Sequence, residues 1–161
     1  MKDYLCFLDT HKDFHGDMLQ RKTLPHRVPE WVDRDDHWFI TICCHPRGLN
    51  QLANRHNFGA TVESLKSREA RGDLKVAIVT VMPDHLHLIC RVNHDRGMSK
   101  VIKDLKAYLA KALGISWQKG YFDHRLRNPS EYLDKYAYVR RNPVRAGYCA
   151  KPEDWPYTLE R

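Results

Sequence analysis

The sequence has no apolar run that approaches the length of a membrane span, so a helical transmembrane segment is excluded on length alone. Its opening residues, MKDYLCFLDTHKDF, lack the basic-then-apolar order of a secretory signal, and the expected setting is soluble and intracellular. No internal repeat and no low-complexity segment is present, which argues against solenoid or linker architectures. The five cysteines, Cys6, Cys43, Cys44, Cys90 and Cys149, form an odd set without a CxxC pair. Three of them fall in strand-like apolar runs, which fits a reducing cytosol better than a disulfide framework.

What the chain does have is positive charge. Its 27 Lys and Arg against 20 Asp and Glu leave a net charge of +7, which favours a polyanionic partner, with nucleic acid as the first candidate. At 161 residues it is long enough for one real hydrophobic core and too short for two domains.

Residues 1–23 carry no clear periodicity and are read as an extension of unknown role before a domain spanning 24–161. Leu24-Pro25-His26-Arg27-Val28-Pro29 is an extended lead-in, because each proline restricts itself and the residue before it. His37 to Cys44 is rich in aromatic and β-branched residues and is closed by Pro46 and Gly48, predicting the first strand, with Arg47 at its end. Thr61 to Ala70 predicts a first helix with Val62 and Leu65 inward, stopped near Gly72.

Leu74 to Val92, LKVAIVTVMPDHLHLICRV, reads as two buried strands meeting at a tight Met82-Pro83-Asp84 corner. Side chains alternate along a strand, so His85 and His87 share one face while Leu86, Leu88 and Cys90 share the other. Two imidazoles on one face invite a metal. Met98 to Leu113 then shows Met98, Val101, Ile102, Leu105, Leu109, Ala112 and Leu113 at helical spacing, with Gly114 as the stop. The other side of this second helix carries Lys100, Lys103 and Lys106, a basic ridge that is either a solvated face or a phosphate contact.

Ile115 to Arg127, ISWQKGYFDHRLR, contains the fourth strand and interleaves Trp117, Tyr121 and Phe122 with Lys119, His124, Arg125 and Arg127. Such a mixture suits single-stranded nucleic acid, where bases stack on rings and phosphates meet cations, or else it is core aromatics with exposed arginines. Ser130 is the expected cap of a third helix that Asn142-Pro143 breaks. Tyr138 and Asn142 are one turn apart on it and share a face.

Met82-Pro83-Asp84-His85-Leu86-His87, then Trp117-Gln118 to Arg127, then Tyr138-Val139-Arg140-Arg141-Asn142-Pro143-Val144-Arg145-Ala146-Gly147 together resemble the single-tyrosine transposases of insertion sequences, and in particular the REP-associated tyrosine transposases. The resemblance runs from about Leu24 through the Asp154-Trp155-Pro156-Tyr157 tail. It implies that His85, His87 and Asn142 are metal ligands and Tyr138 the nucleophile. Asp84 stands where relatives commonly carry Asn or Glu. Asn142 stands where mobile insertion-sequence enzymes typically carry Gln, which favours the REP-associated branch.

The element order strand-helix-strand-strand-helix-strand, followed by a helix, matches an α+β, ferredoxin-like (RRM-like) fold: an antiparallel sheet with helices on one face and a C-terminal helix bearing Tyr138. The histidines would lie on the open face, reached by the third helix of the same chain or, by helix exchange, of a second subunit, so monomer and homodimer both stay open. Two imidazoles and an amide suit Mg²⁺ or Mn²⁺. The expected activity is cleavage and rejoining of single-stranded DNA near REP-like hairpins through a 5′-phosphotyrosine. A free phenol ionises near pH ~10, so a neighbouring cation is needed, with Arg140, Arg141 or His124 as candidates. DNA contacts are expected from Lys100, Lys103, Lys106, Trp117, Tyr121, Arg125, Arg127 and Arg141. The competing readings are a non-cleaving nucleic-acid-binding module and a metal nuclease in which water attacks, with Asp84 as the base.

Overall fold

Alternating apolar residues build the sheet that orders everything else. The computed structural model describes Asp33 and residues 35–161, and in it β1 (His37–Cys43), α1 (Arg55–Ala70), β2 (Leu74–Val81), β3 (His85–Val92), α2 (Met98–Leu113), β4 (Phe122–Leu126), α3 (Pro129–Arg145) and β5 (Thr158–Glu160) follow in order. The proposed extension 1–23 and the Leu24–Pro29 lead-in lie outside the described residues. The strands pair antiparallel in the order β4-β1-β3-β2-β5. The first four make the expected α+β, ferredoxin-like arrangement. The tail adds β5 along the outer edge of β2, an element too short to show any period in sequence.

The two faces divide by residue parity. Trp38, Ile40 and Ile42 of β1, Leu86, Leu88, Cys90 and Val92 of β3, and Val76, Val79 and Val81 of β2 point to one side. There Leu65 of α1 and Val101, Ile102, Leu105 and Leu109 of α2 close a continuous core. Each such fully buried aliphatic side chain stabilises the fold by roughly 1.5–3 kcal/mol relative to exposure. The opposite face holds a smaller cluster, Phe39, Ile78, Ile89 and Leu126, covered by Val139 of α3. A register shift between Val76 and Ile78 turns Ala77 and Ile78 both toward α3, as a bulge does, widening the seat for that helix.

Three boundaries differ from the sequence expectation. α1 begins at Arg55 because Asn54 caps it, its Oδ1 accepting from the Asn57 N–H at 2.9 Å. Its inward stripe is mostly polar, with Thr61, Ser64 and Arg68 buried beside Leu65 and Val62 half-buried, so its first turns carry no hydrophobic signal. α3 is capped by Asn128, whose Oδ1 accepts from the Glu131 N–H at 2.9 Å, and Pro129 takes the first helical position; Ser130 is inside the helix. Nor does Pro143 break it. The helix continues to Arg145, since a proline near a C-terminus forfeits one hydrogen bond while its φ still suits the helix, and Ala146 and Gly147 close the end on the Asn142 and Val144 carbonyls.

Candidate active site

β3 leaves the Pro83-Asp84 corner with His85 and His87 on the α3 face, their rings 4.8 Å apart and close to perpendicular. Each imidazole has its Nδ1 engaged. His85 Nδ1 lies 2.7 Å from Asp84 Oδ1, and His87 Nδ1 lies 2.9 Å from Thr41 Oγ1 on the neighbouring strand β1. With both Nδ1 atoms held, both Nε2 atoms are turned to other use, the arrangement by which outer partners fix the tautomer of ligating histidines. His87 is buried, and that burial, reinforced by His85, Arg47 and Lys135, holds its pKa well below the ordinary value, leaving the neutral form a metal needs.

Asp84 does more than end the turn. Its carboxylate takes His85 on one oxygen and the Gly48 N–H (2.7 Å) and Arg47 Nε (3.1 Å) on the other, tying the loop after β1 to the histidine strand. The His85 hydrogen bond, followed by the Gly48 N–H and the Arg47 charge, lowers its pKa to about 2 against the opposing effect of burial. So weak a base is poorly suited to activating water.

α3 lies across this face within the same chain. Tyr138 meets His87 edge-on with ring centroids 5.6 Å apart, and Phe39 stacks on His87 at 5.4 Å. Lys135 Nζ stands 5.2 Å from the Tyr138 ring centroid, and the Arg145 guanidinium carbon 5.5 Å from it. Both residues follow from helical spacing, Lys135 one turn before Tyr138 and Arg145 two turns after it. They occupy the place expected of Arg140, Arg141 or His124. Arg140 is instead bound to Glu153 and Glu160 of the tail, and His124 to Glu131. A cationic stripe running through Tyr138 was the readable signal for Lys135 and Arg145.

Among the described residues no group of three His, Cys, Asp or Glu side chains converges on a metal-sized site. A three-ligand centre built on His85 and His87 therefore needs a donor of another kind, and half-buried Asn142, one turn beyond Tyr138, offers an amide oxygen. The donor chemistry fits a divalent cation that also takes phosphate or water oxygens.

The lysines and aromatic residues expected as further contacts do not join this face. Lys100, Lys103 and Lys106 lie on α2, which covers the opposite side of the sheet. Lys100 pairs with Asp104 at 3.2 Å, and Lys106 Nζ donates to the carbonyls of Gln118 and Gly120 at 2.7 and 2.6 Å. Trp117 and Tyr121 pack against the main core, the indole N–H donating to the Lys106 carbonyl. Arg125 pairs with Asp36, while Arg127, at the β4–α3 junction, and Arg141, on α3, are exposed.

The sequence profile described as Transposase IS200 like matches residues 50–142, more than half of the chain, a span that runs from before the histidine pair to Asn142 itself. The chain belongs to the IS200-like transposase family. Among curated members, the REP-associated tyrosine transposase of Escherichia coli K12 is 25% identical over 126 residues, covering 75% of this chain and 74% of that protein. The solved structure of a REP-associated tyrosine transposase bound to a REP hairpin superimposes with a TM-score of 0.70 at 22% identity, over 81% of this chain and 80% of that one. A Deinococcus radiodurans structure superimposes with a TM-score of 0.50 at 15% identity, over 71% of this chain and 95% of that one. These superpositions establish a shared fold, and the family membership makes the chain a transposase. No helix among the described residues is long and apolar enough to cross a membrane.

Proposed function

We propose that this transposase cleaves and rejoins single-stranded DNA beside REP-like hairpins, with Tyr138 as nucleophile. The observation that carries the reading is the approach of the Tyr138 ring to His87 within one chain, flanked by Lys135 and Arg145. A solved relative of the same fold is bound to a REP hairpin, which supports hairpin DNA as the partner. His85 and His87, through Nε2, and Asn142 would hold Mg²⁺ or Mn²⁺, which supplies Lewis-acid polarisation of the scissile phosphate.

The protein's own groups do the rest. Tyr138 Oη attacks phosphorus as the phenol gives up its proton; the bond from phosphorus to the 3′ oxygen breaks, and that oxygen takes a proton to leave as a 3′-hydroxyl. The product is a 5′-phosphotyrosine, a diester that a second 3′-hydroxyl attacks in the reverse sense to rejoin strands, so no nucleotide cofactor is consumed. Lys135 and Arg145 set positive charge beside the phenol as its oxygen becomes anionic and beside the phosphate it attacks. Asp84 and Thr41 keep the two imidazoles in one tautomer and orientation. Because α3 reaches the histidines of its own chain, this assignment requires no exchange of helices between subunits.

The test incubates the protein and Tyr138→Phe with labelled single-stranded hairpin DNA, with Mg²⁺, Mn²⁺ or chelator, followed by denaturing gels. A metal-dependent covalent adduct lost in the variant is the expected result. Cleavage that survives in Tyr138→Phe without an adduct would assign the attack to water, and binding with no cleavage would leave a nucleic-acid-binding module.

A further inference from the structure

Phe122 opens β4, the edge strand beside β1, and is 57% exposed. A single exposed phenylalanine is ordinary surface. This one, however, ends an aromatic run that begins at the candidate site. Its ring stands edge-on to Phe39 at 6.1 Å, and Phe39 in turn stacks on His87 at 5.4 Å and meets Tyr138 edge-on at 5.9 Å. The rings therefore lead from the imidazole and phenol to the rim of the sheet, where the last one faces solvent. Lys135 Nζ, 5.1 Å from the Phe39 ring centroid, adds positive charge beside them.

The segment behind Phe122 is pinned. Lys106 holds the Gln118 and Gly120 carbonyls, Tyr121 reaches Ser99 at 3.3 Å and packs into the main core, and strand alternation then places Phe122 on the opposite face. β4 is locked in turn by its pairing with β1, where Phe122 lies across from Thr41, the partner of His87. An aromatic ring fixed in this way loses little freedom when a flat ligand covers it. An unpaired nucleobase is such a ligand, because it has a π-face to offer that a base inside a duplex keeps for its neighbours.

We propose that Phe122 is a stacking platform for one unpaired base of the DNA strand that crosses the Tyr138 face, close to the phosphate under attack, and so sets the register of that strand. This rests on the reading of the site given above. The sequence expectation grouped Trp117, Tyr121 and Phe122 as rings suited to stacking and named the first two as contacts, and those two are held on the core side of the sheet.

The experiment measures affinity for hairpin-bearing single-stranded oligonucleotides carrying one abasic position at a time along the unpaired flank. The proteins are Tyr138→Phe, to prevent cleavage, and the same protein with Phe122→Ala or Phe122→Trp. The expected result is one flank position at which base removal weakens Tyr138→Phe roughly tenfold, the scale of one base-aromatic stack. The same removal should have no effect once Phe122→Ala is present, while Phe122→Trp retains the penalty. 2-Aminopurine at that position should be quenched by the proteins with an aromatic ring at 122 and stay bright with Phe122→Ala. If the parent chain forms the Tyr138 adduct but no flank position couples to residue 122, the platform is overturned and the site reading stands. If the parent chain forms no adduct on any hairpin, the site reading fails and the platform falls with it.

Discussion

Thr41 and His87 face each other across β1 and β3, with Thr41 Oγ1 2.9 Å from His87 Nδ1 in a buried pair. A threonine hydroxyl is thus the group that decides which way the buried imidazole is turned and which of its nitrogens is left over. Thr41→Val keeps shape and strand preference while removing that hydrogen bond. Loss of such an outer partner lowers metal affinity by about 10- to 100-fold in well-studied sites. The expected outcome is weaker Mn²⁺ binding of that order by calorimetric titration, together with a loss of roughly 1–3 kcal/mol of stability because the buried His87 Nδ1 is left without its partner. Unaltered Mn²⁺ affinity would remove His87 from the ligand set.

Lys106 separates two meanings of a basic ridge. As a phosphate contact it would weaken DNA binding and reduce its salt dependence when removed. Instead its ammonium bridges two backbone carbonyls ahead of β4. Hydrogen bonds to a charged group contribute about 1.5–3 kcal/mol. Lys106→Met should therefore lower stability by about that amount in urea unfolding, whereas Lys103→Ala on the exposed face should change it by under about 0.5 kcal/mol. A Lys106→Met protein of unchanged stability but flatter salt dependence would restore the ridge as a DNA contact.

How much of this was legible in the sequence depends on where the signal resides. The parity of HLHLIC announced both the core side and the histidine face, because alternation is a local property of a strand. The seat of Tyr138 was legible as a helix position but not as a contact, since one-turn spacing says which residues share a face and not what the face meets. The burial of Thr41 and the exposure of Phe122 depend on which side of the sheet each falls and on what covers it there. That is decided by tertiary pairing: β4 alternates in sequence equally well in either register, and only its alignment with β1 turns Tyr121 inward and Phe122 outward. The sequence starts α1 only at Thr61 because the buried face of the helix is Thr61, Ser64 and Arg68, polar residues that hydrogen-bond within the helix through the Thr61 hydroxyl and Arg68 Nη1 and are invisible to an apolar periodicity.

Cys44 and Cys90 should be inert in the folded protein. Burial pushes the Cys44 thiol up to about 12, with Asp84 adding to the effect and Arg47 opposing it, and burial raises Cys90 further. The thiolate is the reactive form, so both should resist iodoacetamide at pH ~8 and react once denaturant is added. Peptide mass spectrometry of samples alkylated before and after unfolding reads this directly. Labelling of Cys44 in the native state would reveal opening of the loop that Asp84 closes.

Glu131 makes the β4–α3 junction sensitive to acid. Its carboxylate accepts the Arg127 N–H at 2.8 Å and lies 2.5 Å from His124 Nε2, and these bonds, the backbone one first, lower its pKa against slight burial. A carboxyl group lowered on folding binds its proton more tightly in the unfolded chain, so stability rises with pH wherever the unfolded chain is still partly protonated. The contribution is complete above the ordinary glutamate pKa near ~4.3 and disappears as pH falls through the lower folded value. Glu131→Gln should therefore be less stable than the parent at pH ~6, and the gap should close as pH approaches ~3. The measurement is urea unfolding of both proteins across that interval, read as the difference between them so that titrating groups out of contact with Glu131 cancel. A gap that stays constant with pH would mean that the charge on Glu131 contributes nothing and that the substitution acts through the geometry of the junction, since the Asn128 cap, which accepts the backbone N–H of residue 131, is present in both proteins.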